Sequence, residues 1–228
     1  MKDTLDSAVV YRSQFVTDDG NIYDVKAKKI GDQYLYTANE IMQDIDPMTG
    51  LGTKHSLKIK LKEVEAMASR KKINGEDFPM AVIFADINDL KLYNDKYSHK
   101  AGDEAIIGAG KILQSSVREV DFVARIGGDE FVIVLDNPDL GKIPEIMERI
   151  ETNIKKANNN IPDKGRHIRF SLGIASNKEK AIQRYCSPDD NITPEVIEIV
   201  ADMKMYVEKK SNKIIREVQR SKNATTYS

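Results

Sequence analysis

Phe122, Ala124 and Ile126 alternate with Val123 and Arg125, and every position from 131 to 135 is then apolar. The first pattern has the period of a half-buried strand, and the second suits a strand covered on both faces. Gly127-Gly128 between them predicts a tight reversal using the positive φ open to glycine. Residues 118–135 therefore read as a hairpin, and at its bend stand two adjacent acids, Asp129 and Glu130.

The same patterns organise the rest of the chain. Asp19-Gly20 and Gly31-Asp32 are turn signals around an alternating Tyr23, Val25 and Ala27, and residues 34–38 follow as a second strand. That predicts a β-hairpin too small to fold alone. Pro47 and Gly50 break the pattern and mark a boundary near residue 46. Leu57, Leu61, Val64 and Ala68 recur at helical spacing, with Arg70-Lys71-Lys72 expected as a solvated basic loop before Gly75. Residues 79–87 read as a buried strand ending in acid at Asp86. Leu90, Tyr93 and Tyr97 share one face of a second helix, while Lys91 and Asn94 share another. A third helix is expected from about residue 103 to 117.

After the hairpin, Asn137-Pro138 turns into a helix carrying Ile143, Ile146, Ile150 and Ile154. Ile168, Phe170, Leu172 and Ile174 alternate through a further strand. Thr193-Pro194-Glu195 opens a last helix in which Val196, Val200, Met203 and Val207 are expected to face inward. Beyond Arg216 the chain is polar and is expected to fray. The order predicts an α+β fold: a mixed central β-sheet covered by helices, with no internal repeat. The expected organisation is an N-terminal hairpin and linker over 1–45, a main domain over 46–216 and a polar tail over 217–228.

The chain has 228 residues with a formal net charge of −1, which argues against a bulk nucleic-acid or membrane-surface binder, so an anionic partner must be met locally. Its single cysteine, Cys186, allows no internal disulfide and reads as an inert loop thiol. The polar start Met1-Lys2-Asp3 is no signal peptide, and no apolar run is long enough to span a bilayer, so a cytoplasmic location is expected.

The acids carry the chemistry. Carboxylates are disfavoured in strands and expensive to desolvate unless a cation meets them. Asp129 and Glu130 sit where a buried strand begins, and neighbouring strand residues point to opposite faces, so only one of them lines a given pocket directly. Asp86 ends another predicted central strand just before a helix start, Asn88-Asp89-Leu90, whose backbone N–H groups suit a phosphate. Strand-end acids also serve as simple helix caps. Brought together, Asp86 and Asp129 would share divalent ions, and two such ions stabilise both oxygens of a displacement at phosphorus.

Gly127-Gly128-Asp129-Glu130-Phe131 is the signature of the GGDEF nucleotide cyclases, which the chain resembles over most of its length. The run from Phe84 to Asp103, F-A-D-I-N-D-L-K-L-Y-N-D-K-Y-S-H-K-A-G-D, matches the family's second motif nearly letter for letter. Residues 46–51 resemble its D-P-x-T-G-L opening, and residues 201–213 its closing A-D-x-A-x-Y-x-A-K-x-x-G-R. The N-terminal segment resembles the last strands of a PAS-type sensor; a plain ornament is the other reading. The resemblance implies a palm-like α+β domain that condenses two GTP into cyclic di-GMP, with Mg²⁺ or Mn²⁺, across a homodimer.

It assigns the metals to Asp86, Asp129 and the carbonyl of Ile87, with Glu130 supporting metal binding or catalysis. Asn94 and Asp103 would bond the guanine edge. Lys91 and the N–H groups of Asn88, Asp89 and Leu90 would hold the triphosphate, with Lys209 and Lys213 reaching in from the last helix. Arg118 and Asp121 stand where the family places a site for inhibition by product; the alternative is a surface ion pair of little energy. Arg125 reads as a strand-surface residue that could join that site. The chain departs from the pattern at Lys213, where the family has Arg and its two-pronged phosphate contact. It departs also at Ser98, where the family has Gly, and at Asn88 and Asp89. His99 reads as a packing or hydrogen-bonding residue. Rival readings are an idle GGDEF module binding GTP or cyclic di-GMP to regulate a partner, and a relaxed enzyme that also accepts ATP.

Overall fold

The computed structural model describes residues 9–16, 22–30, 33–41, 44–179 and 192–225. Asp19-Gly20, Gly31-Asp32, Cys186 and the first three residues lie outside these. The chain forms two compact units, 1–44 and 45–228. In the first, three strands pair antiparallel in the order β1 (Val9–Val16), β2 (Ile22–Ile30), β3 (Gln33–Ile41). The expected hairpin is β2–β3, and β1 is an addition. Its letters, V-V-Y-R-S-Q-F-V, are rich in strand formers but do not alternate cleanly, and pairing with β2 fixes them as a strand.

The second unit runs α1 (Lys54–Ile73), β4 (Met80–Ile87), α2 (Leu90–Tyr97), α3 (His99–Ser115), β5 (Phe122–Arg125), β6 (Glu130–Asp136), α4 (Ile143–Asn159), β7 (Phe170–Ser176) and α5 (Pro194–Thr225). The sheet order is β5-β6-β4-β7 with every ladder antiparallel. A parallel pairing occurs as the single bridge between Gly52 and Ala124. Helices cover both faces, which is why β4 is apolar over residues 80–85 and β6 over residues 131–135, with acids only at their ends. Ala81, Ile83, Ala85, Phe131, Ile133 and Leu135 face α3 and α4, while Val82, Phe84, Val132 and Val134 face α1 and α5. Burying an aliphatic side chain contributes about 1.5–3 kcal/mol, so this doubly covered pair of strands is the stable platform from which the site projects.

Several local expectations are corrected. Arg70-Lys71-Lys72 belong to the last turn of α1 rather than to a loop, where their charges favour the carbonyl end of the helix dipole. The buried side of α5 is Ile197, Ala201 and Met205; Val196 and Val200 are partly covered, while Met203 and Val207 face outward. The reason lies in β7. A Cβ on Gly173 would stand 2.0 Å from the Ala201 carbonyl oxygen and 2.3 Å from the Met205 nitrogen, so the two backbones touch there and the crossing selects the helix face. α5 also runs to Thr225, well past Arg216. The hairpin glycines are a further correction. Among the described residues the glycines with positive φ are Gly50 and Gly75, not Gly127 or Gly128. At Gly127 a Cβ would stand 2.6 Å from the Glu130 carboxylate, so a side chain there would displace that group.

Ser98, between α2 and α3, has φ 144° and ψ 163°, a region that side chains with a Cβ avoid. Its hydroxyl accepts from the Ala101 N–H at 3.2 Å, which offsets part of the strain. Replacing Ser98 by Gly is expected to raise stability by roughly 1 kcal/mol, since the strain removed is on the order of 1–3 kcal/mol and a Ser-to-Gly cap loses only a few tenths. A thermal melt checks this; an unchanged or lower Tm would mean that the serine's cap outweighs its backbone.

Candidate active site

The site forms where the C-terminal end of β4 meets the hairpin bend. Asp86 pairs in register with Glu130 on β6 and with Ser171 on β7, so cross-strand neighbours put the Asp86 and Glu130 side chains on one face. The bend is tied down by the Ile87 N–H, which donates to the Asp129 carbonyl at 2.9 Å, and by the Ile126 N–H, which donates to the Glu130 carbonyl at 3.0 Å. Asp86 is 2 % exposed. Its Oδ2 accepts from Lys209 Nζ at 2.6 Å, whereas its Oδ1 is buried with no hydrogen-bond partner. Burial pushes the Asp86 carboxyl above its ordinary value of 3.8; Lys209 pulls the other way, and the charges of Asp129 and Glu130 raise it further.

A cleft of about 580 Å³ opens over this carboxylate. Asp86, Asn88, Asp89 and Glu130 line one wall, and Asp202, Met205, Tyr206, Lys209, Lys210 and Lys213 on α5 line the other, with Leu92 at the side. Of the candidate site residues, Asp86, Asn88, Asp89, Glu130, Lys209 and Lys213 line this cleft. Asp129 adjoins the cleft without lining it. Lys91, Asn94 and Asp103 are on α2 and α3, outside the lining. Asn94 packs against Gly102, where a Cβ would stand 1.7 Å from its Oδ1, and that oxygen is buried without a partner. Leu92, Asp202, Met205, Tyr206 and Lys210 line the cleft without having been singled out from the sequence; Tyr206 and Lys210 stand three residues before Lys209 and Lys213, a spacing that becomes a signal only once α5 is oriented.

The N–H of Asn88 is already spent on the Arg169 carbonyl at 2.8 Å, so it is not available to a phosphate. Its side-chain oxygen accepts from Ser171 Oγ at 2.8 Å, which fixes the residue over β7. Asp89 sits in the left-handed region, φ 63°, at the start of α2. Its carboxylate lies 3.6 Å from Arg169. His99 is the exposed first residue of α3.

Among the described residues no three Asp, Glu, His or Cys side chains already stand as a metal-holding cluster. The donor set nonetheless suits a hard divalent cation. A buried carboxylate oxygen lacks a partner, a second carboxylate faces it, a third adds its charge, and a lysine ammonium now serves as the cation.

Arg118 and Asp121 are not a solvated pair. The Asp121 side chain is 0 % exposed. It accepts from Arg118 Nη2 at 2.7 Å and Nε at 3.1 Å, from the Arg118 N–H at 2.9 Å and from the Asp136 N–H at 3.2 Å. Arg118 also reaches the Asp136 carbonyl at 2.8 Å, so the pair ties the approach to β5 onto the end of β6. Arg125 is likewise a correction to the strand-surface reading. It lies largely covered, donating to Asp46 Oδ1 at 3.0 Å and to the Gly128 carbonyl at 3.0 Å.

A family model described as "Diguanylate cyclase, GGDEF domain" matches residues 43–214. Diguanylate cyclase DgcS of Shewanella oneidensis is 41 % identical over 90 residues, 40 % of this chain and 29 % of that protein. Probable diguanylate cyclase DgcT of Escherichia coli is 25 % identical over 193 residues, 81 % of this chain and 39 % of that one. The chain therefore spans less than two-fifths of the length of either relative. Among solved structures, the GGDEF domain of TpbB (YfiN) from Pseudomonas aeruginosa superposes with a TM-score of 0.58 at 26 % identity, covering 73 % of this chain and 89 % of that one. No helix among the described residues is long and apolar enough to cross a membrane. Because that family model covers residues 43–214, well over half of its length, this chain belongs to the GGDEF family of diguanylate cyclase domains.

Proposed function

We propose that the chain is a diguanylate cyclase, joining two GTP into cyclic di-GMP with release of two pyrophosphates. The observation that carries this is the buried, unpartnered Oδ1 of Asp86 facing Glu130 beneath a cleft whose far wall is lysine-rich. An idle module has no use for an acid held there at the expense of stability. A divalent cation at Asp86, the Ile87 carbonyl, Asp129 and Glu130 would neutralise charge building up on the α-phosphate oxygens.

The chain's own residues supply the rest. Lys209 leaves Asp86 and meets the triphosphate, joined by Lys213 and Lys91, while Asp89 and Leu90 present N–H groups at the start of α2. Asn94 and Asp103 take the guanine edge, for which the unpartnered Asn94 oxygen is an acceptor awaiting a donor. Attack by one GTP's 3′-oxygen forms a new bond to the other's α-phosphorus as the bond to pyrophosphate breaks. Each domain holds one GTP, so two copies face each other about a two-fold.

Incubation of the chain with GTP and magnesium, followed by nucleotide separation, tests the reading. Accumulating cyclic di-GMP supports it, unaltered GTP assigns an idle binding module, and mixed cyclic dinucleotides from GTP plus ATP assign a relaxed enzyme. Arg118 and Asp121 are proposed to bind product and inhibit. Arg118→Ala is then expected to abolish the slowing of initial rates by added cyclic di-GMP and also to lower Tm, because Asp121 loses its cation. A lower Tm with inhibition intact would confine the pair to its structural role.

A further inference from the structure

Helix α5 has two apolar sides. Opposite the buried Ile197, Ala201 and Met205 stand Ile199, Met203, Tyr206, Val207 and Ile214, each between 55 % and 63 % exposed. They recur at offsets of 4, 7, 8 and 15 from Ile199, which at about 100° per residue keeps them in one stripe along roughly 22 Å of helix. Lys210 falls within the same stripe, its ammonium 5.2 Å from the Tyr206 ring centre. A solvated helix has no need of such a face, and this one is as regular as the side that packs on β7.

The stripe is symmetric about its own middle. Ile199 and Ile214 are equidistant from the point between Tyr206 and Val207, and so are Met203 and Lys210. Charge is not symmetric about that centre: from residue 194 to 213, Glu195, Glu198 and Asp202 outnumber Lys204 before it, and Lys209, Lys210 and Lys213 outnumber Glu208 after it. A second copy laid antiparallel across a two-fold would set Ile199 against Ile214 and Tyr206 against Val207. It would also bring Asp202 beside Lys210. Parallel pairing would oppose Asp202 to Asp202 and Lys210 to Lys210 instead.

We propose that the outward face of α5 is an interface between two copies of this chain, its helices antiparallel and centred between Tyr206 and Val207. Five exposed apolar side chains spread over four turns make a small seam, so the association is expected to be weak and concentration-dependent. Tyr206 and Lys210 also line the cleft, so pairing would set the two clefts side by side. The inference concerns how copies meet and is tested without nucleotide, so its failure leaves the reaction untouched.

Sedimentation of the full chain over a range of concentrations is expected to show monomer and dimer in exchange. Met203→Glu with Val207→Glu should weaken the dimer at least tenfold while leaving the thermal melt unchanged, since both residues are exposed. Direction is read by cross-linking in a Cys186→Ser background. An Ile199→Cys chain mixed with a size-tagged Ile214→Cys chain should be joined by a short bismaleimide, and Ile199→Cys alone should not. A chain monomeric at every concentration, which would leave the stripe to a different protein, overturns the proposal. A dimer indifferent to the two glutamates, or an Ile199→Cys chain that links to itself, overturns it equally.

Discussion

Asp86→Asn is expected to form cyclic di-GMP on the order of 10³-fold more slowly than the native chain, because a metal ligand at a phosphoryl centre contributes several kcal/mol and each 1.4 kcal/mol is about tenfold. The same variant is expected to unfold at a higher temperature at neutral pH. Asp86 binds its proton more tightly in the folded chain than in the unfolded one, since burial first and the neighbouring acids second oppose its charge more than Lys209 favours it. Between the ordinary value of 3.8 and the raised folded value, the folded state therefore holds the extra proton. Stability from this group is lost as pH rises through that window and stays lost above it. Asparagine, which never ionises, avoids the loss, so the gain over the native chain should shrink to nothing below the ordinary carboxylate range. Turnover and a melt at two pH values measure both effects. A variant less stable at pH 7 would mean that Lys209 more than compensates for burial, and undiminished turnover would move the metal elsewhere.

Arg125→Ala is expected to destabilise the chain by about 3 kcal/mol, the low end for removing one partner of a largely buried ion pair. The side chains of Arg125 and Asp46 are 15 % and 11 % exposed. Asp46 staples the opening loop by accepting from the N–H groups of Met48 and Thr49 and from the Thr49 hydroxyl. Its main chain closes the same loop, with the Asp46 N–H donating to the Leu51 carbonyl at 2.7 Å and the Gly50 N–H to the Asp46 carbonyl at 2.8 Å. Arg125 joins that loop to the hairpin through its side chain and through its N–H, which donates to the Gly52 carbonyl at 2.8 Å. Alanine keeps only the main-chain bond and leaves a covered carboxylate without its cation. Tm should fall by about 6–12 °C for a domain of this size. Arg125→Lys, which keeps the charge but gives up the contact with the Gly128 carbonyl, should fall between. A shift under about 2 °C for the alanine variant would show that the backbone bridges alone hold the loop.

These two arginines illustrate where reading the chain stops. R-x-x-D at 118–121 and a lone arginine at 125 look alike as letters, and both suggested surface or ligand chemistry. In the structure each neutralises a covered aspartate, Arg118 that of Asp121 from three residues away and Arg125 that of Asp46 from 79. Only the antiparallel register that lays β5 between the opening loop and β6 makes the second contact possible.

Much was legible because it is written at short range. Continuous apolar runs at 81–85 and 131–135 announce strands covered on both faces, and acids at the ends of such runs announce a function, since nothing else compensates their desolvation. Periods of two and 3.6, glycine and proline breaks, and motif spacing are all properties of neighbouring letters, so the order of elements in the main domain followed from them. Side-chain placement across elements did not. α5 carries apolar residues on opposite sides, so periodicity cannot choose which side packs. The choice falls to Gly173, whose missing Cβ lets Ala201 and Met205 approach β7. That contact sets the rotation of the helix, hence the ion pair between Lys209 and Asp86, the second wall of the cleft and the exposure of Met203 and Val207. Local chemistry is encoded residue by residue, whereas which distant groups share a space depends on backbone approach that no local pattern records.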